Sequence, residues 1–359
     1  MTWVGLATAQ DHRFSPYGLG IDRTDTPVAD ASRHATLPRG TLLFEFPLTG
    51  AEGADLIIGQ SHTDQPARRG VELRLIPGGG ISFVQTFGTD VVHAAVRYAN
   101  RTRAKLIRVT LAWDATRQWA RLAVERPGGQ ILGLKTFDSA LPFLMDDLRA
   151  LIEGGVTDGF IALSNDVVPL GPGPTLHGAL SVPTGFGPRQ LSGLKRGDTV
   201  FDPDGFSTPV LMPLRARFPA LGSTRPVRLH APFFGLHKDV VVAPTQLILL
   251  SGSRVEYNYG QEAVLIAAGN LTGSLSAHYE PCGPVIEYAQ VLMPMAETLT
   301  ISGLTFATPN IGRLRRDKVT LPETWYAQVP RSVLPEHTAP GFPVLNHFET
   351  SALVAELAA

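Results

Sequence analysis

One cysteine, Cys282, stands in 359 residues. That scarcity excludes an internal disulfide framework and any Cys-x-x-Cys zinc site. No apolar run approaches the ~18 residues a membrane-spanning helix needs. Charged residues make up 18% of the chain and the formal net charge is -1, so no general attraction to nucleic acid or to an anionic membrane surface exists. The N-terminus, MTWVGLATAQDHRF, lacks a basic region ahead of an apolar core, and Asp11, His12 and Arg13 interrupt it early. No cleavable signal peptide is expected there, and no compartment follows. The usual chemistry motifs are missing as well. There is no Gly-x-x-x-x-Gly-Lys-Ser/Thr loop, no Gly-x-Ser-x-Gly elbow and no His-Glu-x-x-His helix. The ten histidines are dispersed. His230 and His237 are the nearest pair in the second half, and nothing adjacent in sequence completes a metal set. Neither a metal nor another cofactor is expected.

Glycine and proline are plentiful, at 36 and 29 residues. Such turn density favours short strands over long helices. Residues 1 to about 35 read as irregular, an arm or draped loops. Strand patterns follow at Thr41–Phe46, where Leu42, Phe44 and Phe46 share one face, and at Asp55–Gly59. Val71–Ile76 and Ile81–Gln85 flank Pro77-Gly78-Gly79-Gly80 as a β-hairpin. Leu106–Trp113, Trp119–Glu125 and Gln130–Leu134 continue the series across turns. Met145, Leu148 and Ile152 recur at helical spacing, and Phe160–Leu163 reads as a closing strand. Short strands at this spacing predict an antiparallel sandwich.

Val168–Thr175 reads VPLGPGPT, with three prolines and two glycines in eight residues. It is the expected boundary between a domain at 1–168 and another at 175–359. Beyond it, short apolar strands are expected at 199–201, 227–230, 240–242, 247–250, 263–267, 285–292 and 298–301. A loop-rich stretch precedes a final helix over 344–357.

Several residues that could carry chemistry have plain structural readings. Cys282 lies in the turn-like PCGP, and a nucleophilic thiol would need a base and an orienting group. His278 is near it in sequence, which does not place it in space. RLRRDK, Arg313–Lys318, is too short and isolated for a nucleic-acid groove and reads as a solvated loop. Trp113 and Trp119 read as packing residues rather than a sugar-stacking platform. Asn270-Leu271-Thr272 matches a glycosylation sequon, a pattern common by chance. Asp55, Asp114 and Asp166 are scattered turn residues, not a calcium set.

LKRGD at 194–198, KDVVVAPTQLILL at 238–250, QEAVLIAAGNL at 261–271 and FPVLNHFETSALV at 342–354 follow one another in an order that resembles, from Thr175 onward, the bacterial Hint family, the Hedgehog/intein autoprocessing fold. The resemblance rests on elements in order. LSVPTGFGPRQLSGLKRGDTV (180–200) contains LKRGD, similar to the family's Leu-Arg-Pro-Gly-Asp element. KDVVVAPTQLILL (238–250) is similar to the strand–Ser-Pro-x-His-Arg–strand block, and QEAVLIAAGNL (261–271) to the next. EYAQVLMPMAETLTISGLTFAT (287–308) resembles the Tyr-x-His-Leu strand and its following turn, and FPVLNHFETSALV (342–354) the closing segment. The resemblance implies an N-to-S or N-to-O acyl shift begun by a thiol or hydroxyl. Counting back from LKRGD, Thr175 falls in the nucleophile's register. The family's central histidine is replaced by Gln246, with Thr245 just before it. The histidine of the Tyr-x-His-Leu strand is Gln290, and that of the turn is Ala296. None of these side chains exchanges a proton near neutral pH, and general acid–base groups supply roughly 10²–10⁴-fold each.

In the first half, RGTLLFEFPLTG (39–50) and LIRVTLAWDATRQWARLAVE (106–125) carry a looser resemblance to the concanavalin-like or laminin-G-like sandwich. Such domains often bind glycans or proteins, although fold does not fix function. The expected architecture is therefore all-β, an antiparallel sandwich followed by a Hint-like fold with a short C-terminal helix. Three functional readings stay open: a degenerate autoprocessing module serving as a binding or structural unit, an active self-processing chain with Thr175 as nucleophile, and a glycan-binding protein acting through the sandwich.

Overall fold

The computed structural model describes residues 2–20, 35–48, 56–62, 68–98, 106–201, 205–295, 298–338 and 341–358. The chain is mostly β and separates into two compact units, Met1–Gly171 and Pro172–Ala359.

The strands of the first unit are β1 (Trp3–Thr8), β2 (His12–Phe14), β3 (Thr36–Leu37), β4 (Arg39–Pro47), β5 (Leu56–His62), β6 (Arg69–Leu75) and β7 (Gly80–Phe87). They continue with β8 (Asp90–Arg97), β9 (Leu106–Asp114), β10 (Trp119–Arg126), β11 (Gln130–Asp138), β12 (Phe143–Leu144) and β13 (Phe160–Ser164), with helix α1 at Met145–Glu153. Seven strands form one sheet in the order β11-β10-β9-β4-β13-β1-β2, and β5-β6-β7-β8 form a second. Every pairing is antiparallel. The predicted alternation sets the core. Leu42, Phe44, Ile107, Val109, Leu111, Trp113, Leu122 and Val124 from the large sheet share one apolar cluster with Val71, Leu73, Ile81 and Phe83 of the small one. Leu148, Leu151 and Ile152 bring α1 into that cluster, along the helical stripe seen in the sequence. Trp113 is buried, lies tilted against Phe143 with ring centroids 4.5 Å apart and donates its indole N–H to the Leu37 carbonyl. It is a packing residue.

The N-terminal segment departs from expectation. Its residues 3–14 are not a draped arm: β1 pairs with β13 inside the large sheet, and β2 pairs with β1 as the edge strand. WVGLA is buried without alternation, because a strand covered on both faces loses the period of two that marks a half-exposed one. The strand expected at Phe160–Leu163 is β13, which is likewise central, lying between β4 and β1. Gly159 opens it at φ 79°, and a Cβ there would meet the Glu45 carbonyl oxygen at 1.9 Å. Glycine is required at that entry.

The face of the large sheet opposite its apolar core is also buried, although it carries Thr41, Glu45, Arg121 and Glu125. The segment leaving β13 crosses it. Val168 N donates to Thr41 Oγ1 at 2.9 Å, Arg121 donates to the Val168 carbonyl, and Gly171 N donates to Glu125 Oε1 at 2.8 Å. Burial pushes the Glu125 carboxyl above its ordinary range, opposed by Arg108 and the Gly171 N–H.

The second unit contains β14 (Leu176–His177), β15 (Ser181–Val182), β16 (Arg189–Gln190), β17 (Thr199–Phe201), β18 (Ser207–Pro209), β19 (Met212–Pro219), β20 (Val227–Leu229) and β21 (Val240–Val242). There follow β22 (Leu247–Ser251), α2 (Ser253–Tyr259), β23 (Ala263–Ala267), β24 (Ala277–Tyr279), β25 (Val285–Leu292), β26 (Thr298–Ile301), β27 (Leu304–Ala307) and α3 (His347–Ala358). Six strands form a sheet in the order β19-β25-β14-β21-β20-β24, and β23-β22-β27-β26 form another. The apolar strands read from sequence supply the core, including Val240, Val242, Ile248, Val264, Ile266, Val291 and Phe306. LKRGD is a turn: Leu194 is buried, Gly197 takes φ 87°, and Asp198 Oδ2 accepts from Lys195 N at 2.9 Å. The short helix α2 and the strand β19 lay outside the sequence reading. Strand β19 is bounded by Pro213 and Pro219, which mask a strand pattern.

Candidate functional site

Strand β14 is two residues long, yet it sits between β21 and β25 in the six-stranded sheet. Leu176 pairs with Val242 on one side and Ala289 on the other. That register places Thr175, the preceding residue, across from Ala243 and Gln290. Ala243 N donates to the Thr175 carbonyl at 2.7 Å. The chain then turns through Pro244 and Thr245, closed by Gln246 N donating to the Ala243 carbonyl at 3.0 Å. This turn carries the Gln246 side chain back toward Thr175.

Three of the residues singled out in sequence meet here, from three separate segments. Thr175 Oγ1 donates to Gln246 Oε1 at 2.5 Å. Gln290 Nε2 donates to the same Oε1 at 3.3 Å. Gln246 Nε2 donates to the carbonyls of Ala307 and Leu247 at 3.0 and 2.7 Å. Gln290 Oε1 accepts from Val291 N at 3.2 Å. Gln246 and Gln290 are buried at 2% and 1% exposure, while Thr175 is half-buried. A buried amide must pair both its oxygen and its nitrogen, and Gln246 does so inside this cluster. The Ala307 carbonyl, which completes it, had no signal in the sequence because a backbone acceptor carries no residue-type mark.

The other named positions stand apart. Thr245 is half-buried on the turn, and its side chain takes no part in the cluster's hydrogen bonds. Ala296 lies outside the described residues, as does Asp55. Asp114 caps the turn after β9, accepting from Thr116 Oγ1, Thr116 N and Arg117 N. The Thr116 hydroxyl, ahead of the backbone N–H groups, holds that carboxyl below its usual range against a burial effect of opposite sign. Asp166 pairs with Arg39 at 2.6 Å.

Cys282 is exposed, and its thiol donates to the Gly283 carbonyl at 3.3 Å. Burial of the sulfur and then Glu280 raise its pKa, against Arg225, so a reactive thiolate is disfavoured. Within RLRRDK, Arg316 and Arg315 pair with Glu336, the former at 2.5 Å. Asn270 Nδ2 donates to Thr350 Oγ1 at 3.4 Å. Among the described residues no group of three or more His, Cys, Asp and Glu side chains converges as a metal site. No described helix is long and apolar enough to cross a membrane.

Chemically, the Thr175 cluster brings together one hydroxyl and two primary amides. An amide oxygen takes a hydrogen bond and cannot take the proton at neutral pH. These bonds tie three segments together at one point of the sheet.

Comparison with known proteins gives the following. Residues 176–311 match the family model of the Hint domain, so the chain carries a Hint domain in its second half. No curated protein matches the chain. Among solved structures it is similar to the Ruminococcus gnavus IT-sialidase CBM40 bound to alpha2,3 sialyllactose. There the TM-score is 0.28 and the identity 18%, over 38% of this chain and 80% of that one. It is also similar to the gp41-1 intein, with TM-score 0.24 and 12% identity over 37% of this chain and 98% of that one. The AceL NrdHF class 3 split intein gives TM-score 0.25 and 15% identity, over 38% and 97%.

Proposed function

We propose that the Hint domain of this chain keeps the fold and has lost self-cleavage, so that it works as a binding or structural unit. A single observation carries the reading: the Thr175 hydroxyl is committed, at 2.5 Å, to the amide oxygen of buried Gln246. An N-to-O acyl shift needs that hydroxyl deprotonated as it attacks the Pro174 carbonyl. It also needs the Thr175 nitrogen protonated as it leaves. Gln246, which accepts from the hydroxyl, and Gln290, which donates to Gln246, can do neither. Prolonged incubation of the purified chain, with or without thiol or hydroxylamine, is expected to leave one 38.6 kDa species by mass spectrometry. A fragment beginning at Thr175, and lost in Thr175→Ala, would establish active self-processing instead.

A second reading gives the sandwich a ligand. Beside β6 and β7 a cleft is lined by Arg69, Gln85, Thr86, Phe87, Phe143 and Asp147. Arg69 Nε donates to Asp147 Oδ2 at 3.0 Å, so guanidinium and carboxylate stand together beside aromatic rings. That mixture of paired charge, amide, hydroxyl and ring suits a hydroxyl-rich ligand such as a glycan. The full chain on a glycan array is expected to give signal that Arg69→Ala abolishes. Silence across the array, or signal indifferent to Arg69→Ala, removes this reading.

A further inference from the structure

Between β27 and α3 the chain runs as a long strap, residues 309–338, against β19 and β25. Ile311, Leu321, Val329 and Leu334 of the strap pack with Leu214 of β19 and Leu292 of β25 in an apolar cluster of their own. The two ends of the strap are tied to each other. Asn310 Nδ2 donates to the Thr338 carbonyl at 2.7 Å, and His337 N donates to the Gly312 carbonyl at 2.9 Å. The His337 ring adds two further bonds. Its Nδ1 accepts from Ile311 N at 3.2 Å, and its Nε2 stands 3.1 Å from the Met293 carbonyl, just past β25.

A carbonyl only accepts and a backbone N–H only donates, so these partners fix the tautomer. The proton sits on Nε2, and Nδ1 keeps its lone pair. A second proton has only Nδ1 to go to, where the Ile311 N–H already points. His337 and Ile311 are both buried, so breaking that bond strands a donor away from water. Burial holds the ring's pKa below the ordinary histidine value, outweighing the Met293 and Pro309 carbonyls, which favour the protonated ring. Those carbonyls are what the chain just past β25 and β27 turns toward it. Glu336, next to His337 in the strap, is paired with Arg315 and Arg316, and Arg316 above all holds its carboxyl below the usual range. It stays ionised and paired where a histidine titrates.

The strap also grips the segment that leads into the Thr175 site. Tyr326, fully buried, donates its hydroxyl to the Pro172 carbonyl at 2.7 Å. Trp325 stands so near Gly173 that a Cβ there would meet its Nε1 at 2.9 Å.

We infer that His337 is a pH-sensitive clasp: the neutral ring keeps the strap closed, and its protonation frees the strap together with the 172–175 segment that the strap restrains. Once open, the ring is hydrated and takes a proton as an ordinary histidine does. The closed form is therefore favoured above that range and loses ground as the pH falls through it.

The test is hydrogen exchange of the full chain at pH 7.5 and 5.5, read by mass spectrometry and corrected for the intrinsic pH dependence of exchange. Opening of the 309–338 strap should rise about 3–10-fold at the lower pH, the ceiling being set by a pKa of about 6.5 for the open ring. Peptides over β22, β23 and β25 should not change. Glutamine supplies a donor and an acceptor but does not titrate, so the rise should vanish in His337→Gln. Equal corrected exchange of the strap at the two pH values in the wild type would overturn the clasp, as would the same rise in the folded His337→Gln variant. Nitrogen NMR of the wild-type histidines needs no variant. It should find His337 neutral with its proton on Nε2 at pH 7.5, and a proton on Nδ1 would overturn the clasp. Exchange at 172–175 that ignores the opening of the strap would overturn its link to that segment.

Discussion

Phe44→Ala is expected to destabilise the first unit by about 3–5 kcal/mol, the usual range for deleting a core phenylalanine. Phe44 is 2% exposed, on the central strand β4 between β9 and β13, and its ring belongs to the cluster shared by both sheets. The cost has two parts. One is the lost transfer of the ring out of water, and the other is the cavity left among neighbours that relax only partly. Central strands held on both sides relax least, which places the value toward the upper end. Urea denaturation followed by tryptophan fluorescence reads it, since Trp3, Trp113 and Trp119 lie in this unit. The loss should appear in a transition that leaves the far-ultraviolet signal of the second unit in place, as separable domains at 1–168 and 175–359 would require. An unchanged midpoint would put Phe44 on the wrong face. One merged transition shifted as a whole would argue against separable domains.

The second large effect is expected from Gln246→Leu. Leucine approximates the volume but supplies no donor or acceptor. The substitution leaves the Ala307 carbonyl, the Gln290 amide and the Thr175 hydroxyl without the partner they have now. An orphaned buried polar group costs about 1–3 kcal/mol. Thr175 is half-buried and recovers a water, so the total should reach about 2–5 kcal/mol, in the second unit. Thr175→Ser keeps the hydroxyl and should cost far less. Thermal denaturation of both variants distinguishes a polar cluster that holds the sheet from one that merely occupies it. Equal stability of Gln246→Leu and wild type would contradict the cluster's structural role.

Much of the architecture was legible because half-buried strands mark themselves. The alternation in TLLFEF and VELRLI, and the turns PGGG and PGG, place β4, β6, β7, β10 and β11. The stripe of Met145, Leu148 and Ile152 places α1. The misses have physical causes. Strand β1 is covered on both faces and shows no alternation. Helix α2 spans seven residues, too few for an apolar stripe to repeat. The site was legible in part for a different reason. Thr175, Gln246 and Gln290 were picked out by their places in a family pattern, not by any chemistry visible in the side chains themselves.

The sequence by itself determined the composition of the core, the all-β class and the absence of proton-transferring groups at the Thr175, Gln246 and Gln290 positions. These depend on residue type and on spacing along a few neighbouring positions, which is information a linear chain carries. The tertiary structure alone decided who meets whom. Thr175 reaches Gln246 across 71 positions, Gln246 reaches Gln290 across 44, and His230 reaches His278 across 48. Those meetings come from strand order and register: β14 enters between β21 and β25, and β24 pairs with β20. Register is a cooperative property of the whole sheet, because a slip of one residue turns every side chain of a strand to the other face. No local pattern could have announced it, and so the partner of His230 is the distant His278 rather than the nearby His237.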